Sequence, residues 1–244
     1  MSRLARVQHG AEHLDAPVHD PRELETSLDH LAGVNRWLGG RRIVIRHLAP
    51  LCAPDRPTYL LDVGTGSADV PRAIVRWARE HGRPVRVVAT DVHPQIVEIA
   101  RHRTAADPEI TVKRADARRL PFCDGAFDVA ILSLTLHHFD DVDQLCVLRE
   151  LRRVARRAVL VNELERNWSN YLGARLLAAT LWRRDRITRH DGPLSVLRAF
   201  TSDELLDRAR RAGLPNAHVR RGFFNRLLLV ADLAAPTNAH GPGS

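Results

Sequence analysis

The densest chemistry in this sequence lies in YLLDVGTGSADVP, where an apolar run ends on Asp62 and is followed by Gly64, Thr65, Gly66 and a helix start. Glycines placed there allow a tight turn and let the backbone approach a ligand that a Cβ would hold off. A second apolar run, VRVVATD, ends on Asp91, 25 residues beyond Gly66. That is close to the interval of about 20 at which an acid meets both hydroxyls of a ribose. Each feature alone has a plain structural use, since any strand-to-helix turn can use glycine and Asp91 can cap the next helix. Together they describe a cradle for a nucleoside.

The third glycine of a dinucleotide loop, which lets the helix pack under a pyrophosphate, is replaced here by Asp69. A carboxylate repels a pyrophosphate and accommodates a cation. Asp62 and Asp69 therefore favour a nucleoside carrying a sulfonium, S-adenosyl-L-methionine, over NAD.

For proton transfer the candidates are His137 and His138, which follow the run FDVAILSL at the sheet edge where open α/β folds place their ligands. Either can act as a base or cap the helix that opens near Asp140; His137 is the preferred base. His190 is a rival, beside Arg189 and Asp191 in the stretch 165–200, which also carries Trp168, Tyr171 and Trp182. That stretch can wall a substrate pocket, or it can be a helical hairpin turning at Gly192 and Pro193.

These residues need a scaffold. From Thr58 onward short apolar runs alternate with helical ones, and strands buried on both faces read as unbroken apolar runs. The spacing predicts helices over 69–80, 94–103 and 141–154. Thr201 and Glu204 make a capping-box pattern for a further helix, and HVRR with NRLLLVA reads as a terminal strand hairpin. The fold class expected is α/β: a Rossmann-like, doubly wound, mostly parallel seven-stranded sheet with an antiparallel C-terminal hairpin. Residues 1–57 read as an N-terminal helical cap and linker, 58–234 as the main domain with a lid insertion at 165–200, and 235–244 as a frayed tail.

Bulk properties agree. The chain has 244 residues, enough for one large core, and 44% hydrophobic against 27% charged residues marks a globular protein. The net charge of +8 is spread along the chain as arginine, with Lys113 the only lysine, so nucleic acid is not the expected partner. Cys52, Cys123 and Cys146 have neither disulfide nor zinc spacing. No metal is expected. Arg175 interrupts the longest later apolar stretch, so neither a membrane span nor a signal peptide is expected, and a cytoplasmic setting follows.

LDVGTGSADVP, ATDVHPQIVEIA, RADARRLPFCDGAFDVAILSLTLHHFDD and ELRRVARRAVLVNEL, in this order, resemble the motif set of class I S-adenosylmethionine-dependent methyltransferases. The nearest group is the ubiquinone/menaquinone methyltransferase-like one (methyltransferase domain type 11). The resemblance implies that Asp62, Gly64, Thr65 and Gly66 surround the methionyl part and that Asp91 holds the ribose. It further implies that Val92 flanks the adenine, that Asp116 and Ala117 bind it, that Ser133 and Leu134 lie near the methyl group, and that the segment before the first strand closes the cofactor site, with Asn35, Arg36, Arg41 or Arg42 of VNRWLGGRR meeting the methionyl carboxylate. Ala68 departs from a pattern that often has glycine there. SLTLHH stands where amino-methylating enzymes of nucleic acid or protein glutamine carry an NPPY-type motif. A small phenolic, polyketide-like or quinone-like acceptor is the expectation, with oxygen favoured over carbon; an RNA methyltransferase and a non-catalytic cofactor-binding protein are the alternatives.

Overall fold

The computed structural model describes residues 4–7, 10 and 12–233; the tail read as frayed lies outside them. Seven strands, β1 (Thr58–Val63), β2 (Val85–Asp91), β3 (Ile110–Arg114), β4 (Phe127–Ser133), β5 (Ala155–Leu164), β6 (His218–Arg221) and β7 (Arg226–Asp232), build the sheet. Their spatial order is β3-β2-β1-β4-β5-β7-β6. β1 runs parallel to β2 and β4, β4 to β5 and β2 to β3, whereas β7 is antiparallel to both β5 and β6. This is the expected doubly wound sheet with its antiparallel hairpin, and the strand order reverses between β1 and β4.

Burial follows from the pleat. Leu60, Val129, Ile131 and Leu160 face one side of the sheet, and Leu61, Ala130, Leu132 and Val159 the other, all fully buried. Each large aliphatic side chain removed from water stabilises the fold by about 1.5–3 kcal/mol, so a charge introduced along β1, β4 or β5 would break the core.

The helices are α1 (Pro21–Trp37), α2 (Gly40–Leu48), α3 (Asp69–Glu80), α4 (Pro94–Thr104), α5 (Asp141–Val154), α6 (Trp168–Ala179), α7 (Arg186–Arg198) and α8 (Ser202–Arg211). Pro21 at the first turn and the Asp20 carboxylate, which accepts from the Arg22 and Glu23 N–H groups, start α1, and Gly39 in the left-handed region (φ 78°) ends it. The predicted capping box between Thr201 and Glu204 starts α8. Helix α5 is capped by Asp140, which accepts from Val142 and Asp143 N–H at 3.0 and 2.8 Å. Neither His137 nor His138 caps it.

The region 165–200 forms a helical hairpin, but its turn lies between α6 and α7 and not at Gly192 and Pro193, which sit inside α7. The reason is packing. A Cβ on Gly192 would come within 2.5 Å of the Trp182 ring, so the glycine gives Trp182 its seat. Helix α1 packs on α7, while α2 packs on α3, β5 and β7.

Candidate active site

A cavity of about 820 Å³ opens at the carboxyl ends of β1, β2 and β4, where the reversal of strand order splays the connecting loops apart. All ten positions expected around the cofactor line it, as do His137 and His138. His190 does not line it. Its ring stacks on His13 at 4.0 Å, and its Nδ1 lies 2.7 Å from Asp191, which leaves it away from the predicted chemistry.

The cradle is built from backbone geometry. Gly64 (φ 65°), Gly66 (φ 53°) and also Ala68 (φ 57°) occupy the left-handed region. A Cβ on Gly64 would collide with the Thr135 side chain, whereas one on Gly66 would meet only Leu28 at 3.8 Å. Ala68 thus adopts a conformation that glycine reaches without strain and that costs about 1–2 kcal/mol for a residue with a Cβ.

Asp91 accepts from the Gly66 N–H through Oδ2 and from the His93 N–H through Oδ1, both at 3.1 Å. It ties the end of β2 to the glycine loop and does not cap α4, whose N-cap is His93. Burial raises its pKa. Asp62, 2% exposed, is pushed up to about 7 by desolvation, which with the charges of Asp69 and Asp91 outweighs the opposing influence of the nearby Thr65 hydroxyl. Asp69 has its own cation: Arg41 Nε lies 2.7 Å and Asn35 Nδ2 3.0 Å from its Oδ2. Arg41 and Asn35 therefore hold the loop's acid. Arg36 lies over the Trp37 ring. Asp116 is gripped by Arg118 through its guanidinium and backbone N–H, and that hydrogen bonding lowers its pKa.

The cavity wall carries buried polar atoms with no hydrogen-bond partner in the chain: Asn35 Oδ1, Asp62 Oδ1, Thr65 Oγ1 and Ser133 Oγ. Buried polar atoms are rarely left unpaired. Acceptors and hydroxyls beside a doubly acidic loop fit a ligand bearing an ammonium group and ribose hydroxyls, so these residues fit the expected cofactor.

Beyond the cradle the fold gathers a cluster that sequence spacing hid. His137 is 2% exposed, and its Nδ1 lies 2.7 Å from Oε2 of the fully buried Glu163. Glu163 Oε1 accepts the Leu136 N–H at 2.8 Å. An ionised carboxylate only accepts, so Nδ1 carries the proton of that bond and Nε2 is the ring nitrogen left for the cavity. Burial would raise the Glu163 pKa, but the His137 interaction and its neighbours bring it below the usual carboxylate value. His138 Nδ1 lies 3.0 Å from Asp15. Burial alone would lower the His138 pKa, yet Glu12 and Asp15 outweigh it and lift it to about 9.

Glu12 and Asp15 come from the segment before α1 and give no sequence signal. Glu163 does give one, as an acid inside the apolar run AVLVNEL. Trp182, 3% exposed with its Nε1 unpartnered, also lines the cavity.

Residues 60–158 match a family model described as a methyltransferase domain. The demethylmenaquinone methyltransferase of Thermus thermophilus is 33% identical over 110 residues, 45% of this chain and 47% of the relative. The ubiquinone/menaquinone biosynthesis C-methyltransferase UbiE of Laribacter hongkongensis is 30% identical over 135 residues, 54% of this chain and 53% of the relative. The chain thus spans about half the length of these curated relatives. Among solved structures, a SAM dependent methyltransferase from Aquifex aeolicus superposes with a TM-score of 0.64 at 18% identity, covering 89% of this chain and all of that one, a likeness of fold. With the motif order, the sheet order and the cavity in place, the segment 60–158 is a methyltransferase domain of the class I, S-adenosylmethionine-dependent type.

Proposed function

We propose that the chain transfers a methyl group from S-adenosyl-L-methionine to a small acceptor that is phenolic, polyketide-like or quinone-like, with oxygen favoured over carbon as the atom methylated. The observation that carries this reading is a single cavity containing both the acidic glycine cradle and a buried imidazole held through Nδ1 by Glu163, with its Nε2 making no hydrogen bond to the described residues. Its volume of about 820 Å³ lies within the roughly 300–1,000 Å³ of small-ligand sites. The quinone methyltransferases among the relatives support a ring acceptor. The net charge of +8 gives little support to a polynucleotide, since Arg79, Arg118, Arg153 and Arg208 pair with carboxylates.

S-adenosyl-L-methionine supplies a methyl group activated by a positive sulfur. Asp62 and Asp91 bind the charged and ribose ends, and Arg41 and Asn35 keep Asp69 in place. The α6–α7 hairpin provides an apolar wall through Leu176, Leu177, Trp182 and Val196, which excludes water and aligns the acceptor ring. Alignment of this kind can lower a barrier by about 7–11 kcal/mol. His137, fixed by Glu163, offers Nε2 to the acceptor hydroxyl's proton, a contribution of about 10²–10⁴ in rate. In this reading residues 1–57 cap the cofactor side, 58–234 form the methyltransferase domain and 165–200 the acceptor lid.

The test is transfer of a labelled methyl group to a panel of phenols and quinones, with the methylated atom located by NMR. Methyl uptake by at least one acceptor is expected. Cofactor binding with no transfer across the panel would instead mark a non-catalytic binder.

A further inference from the structure

Two groups of metal-competent side chains come together among the described residues: Glu12, His137 and His138, and separately His13, His190 and Asp191. They differ in what their atoms are already doing. In the second group Asp191 is saturated, since its Oδ1 accepts from the His13 N–H at 2.8 Å and from His190, and its Oδ2 accepts from the Leu14 N–H. His190 is half exposed.

In the first group both histidines are held from behind. His137 Nδ1 is tied to Glu163 and His138 Nδ1 to Asp15, which is the arrangement metal-binding imidazoles use to fix their tautomer and aim the other nitrogen. The two Nε2 atoms turn toward the Glu12 carboxylate, that of His137 lying 3.9 Å from Oε1 and that of His138 3.6 Å from Oε2. Those separations are too long for hydrogen bonds. They are close to the roughly 3.4 Å that separates ligand atoms placed about 2.1 Å from one ion at tetrahedral angles. Glu12 is 3% exposed and its Oε1 has no hydrogen-bond partner, while its Oε2 accepts from the Ser195 hydroxyl at 2.9 Å.

Arg198 Nε lies 3.8 Å from Glu12, and a cation so close would oppose a metal ion if it were free to approach. Its guanidinium is held in place, donating to the carbonyls of His137, His138 and Gly10; it braces the backbone that presents both imidazoles, and its charge is set against those of the neighbouring carboxylates. Three carboxylates, Glu12, Asp15 and Glu163, stand around the two imidazoles.

We propose that Glu12, His137 Nε2 and His138 Nε2 form a binding site for a divalent transition-metal ion in the acceptor cavity. Two imidazoles and one carboxylate leave coordination positions open, and all three residues line the cavity, so the site takes an acceptor that presents an oxygen to the ion. This rests on the small-acceptor reading and deepens it. Binding of the ion releases the His138 proton to solvent; the His137 Nε2 that serves as a base in the metal-free protein becomes a metal ligand, and the acceptor class narrows to hydroxylated or enolic molecules.

The test needs neither cofactor nor acceptor. Full-length protein, stripped with a chelator and dialysed, is titrated with Zn²⁺ against a chromophoric competitor, and with Co²⁺ as a visible-absorbing probe. Saturation at one ion per chain is expected, weakened at least tenfold in Glu12→Gln and in His138→Gln and unchanged in His190→Asn. Circular dichroism melts establish that each variant is folded, and His138→Asn replaces any that is not. Absence of saturable binding in the wild type, equal binding in the Glu12 and His138 variants, or loss of binding in His190→Asn would each overturn the proposal. Calorimetry with S-adenosyl-L-methionine on the same metal-free sample separates the two claims: cofactor binding without zinc uptake removes the ion site alone, and zinc uptake without cofactor binding removes the methyl-transfer reading.

Discussion

Asp62 is buried at the end of β1 with one carboxylate oxygen lacking any partner, and its pKa is pushed up to about 7. Against the ordinary 3.8 this is about three pH units, or about 4 kcal/mol at 1.36 kcal/mol per unit. Between pH 4 and 7 the folded protein binds a proton that the unfolded chain has released. Stability therefore falls as pH rises through that window and is level above it. Asp62→Asn mimics the protonated acid and removes the effect. The amide brings a buried N–H of its own, costing about 1–2 kcal/mol, so the ligand-free variant should exceed wild type by roughly 2–3 kcal/mol at pH 8. For a chain of this size that is about 4–12 °C in Tm, and the difference should shrink toward pH 5. The same carboxylate, ionised, is the group that meets a cationic ligand. Wild-type affinity for S-adenosyl-L-methionine should accordingly fall roughly 30-fold from pH 8 to 5.5, while the variant binds weakly with little pH dependence. Thermal melts and calorimetry across pH measure both. A variant less stable than wild type at every pH, or a wild-type affinity that does not change with pH, would refute the reasoning.

Other outcomes follow from single contacts. Gly64→Ala combines a left-handed φ of 65° with a collision against Thr135, so it should cost about 2–4 kcal/mol and abolish cofactor binding, read by urea melts and calorimetry. Gly192→Ala drives a methyl group into Trp182; a loss of about 1–3 kcal/mol and slower acceptor turnover should appear with cofactor affinity unchanged. His138, raised to about 9, stabilises the metal-free fold below pH 6.5 by up to about 3 kcal/mol. That stabilisation is lost as pH rises to 9, and His138→Gln should flatten this part of the stability profile.

The sheet was legible because its evidence is local. YLLDV and FDVAILS are mostly apolar since both faces of the central strands are covered, and Thr201 with Glu204 announces α8 by a four-residue pattern. The cradle was legible for the same reason, as its glycines and acids sit at the ends of adjacent strands. The acceptor side was not. Glu12 and Asp15 reach His137 and His138 only once the segment before α1 packs on α7, and no periodicity records a contact of that span. Gly192 and Pro193 read as a turn because glycine and proline usually break helices. The bulk of Trp182, which only the folded hairpin brings alongside, gives the glycine a different use. Ala68 shows the converse limit: an ordinary residue in the left-handed region is invisible until the backbone is seen.

The central claim, a cradle between β1 and β2 shaped for a nucleoside with a charged sulfur, is tested most directly by calorimetric titration of S-adenosyl-L-methionine and its demethylated product into wild type and Asp91→Ala. One ligand per chain with micromolar affinity, weakened at least tenfold by the substitution, is the predicted result. No heat of binding at millimolar ligand, or equal affinity in the two proteins, would contradict it.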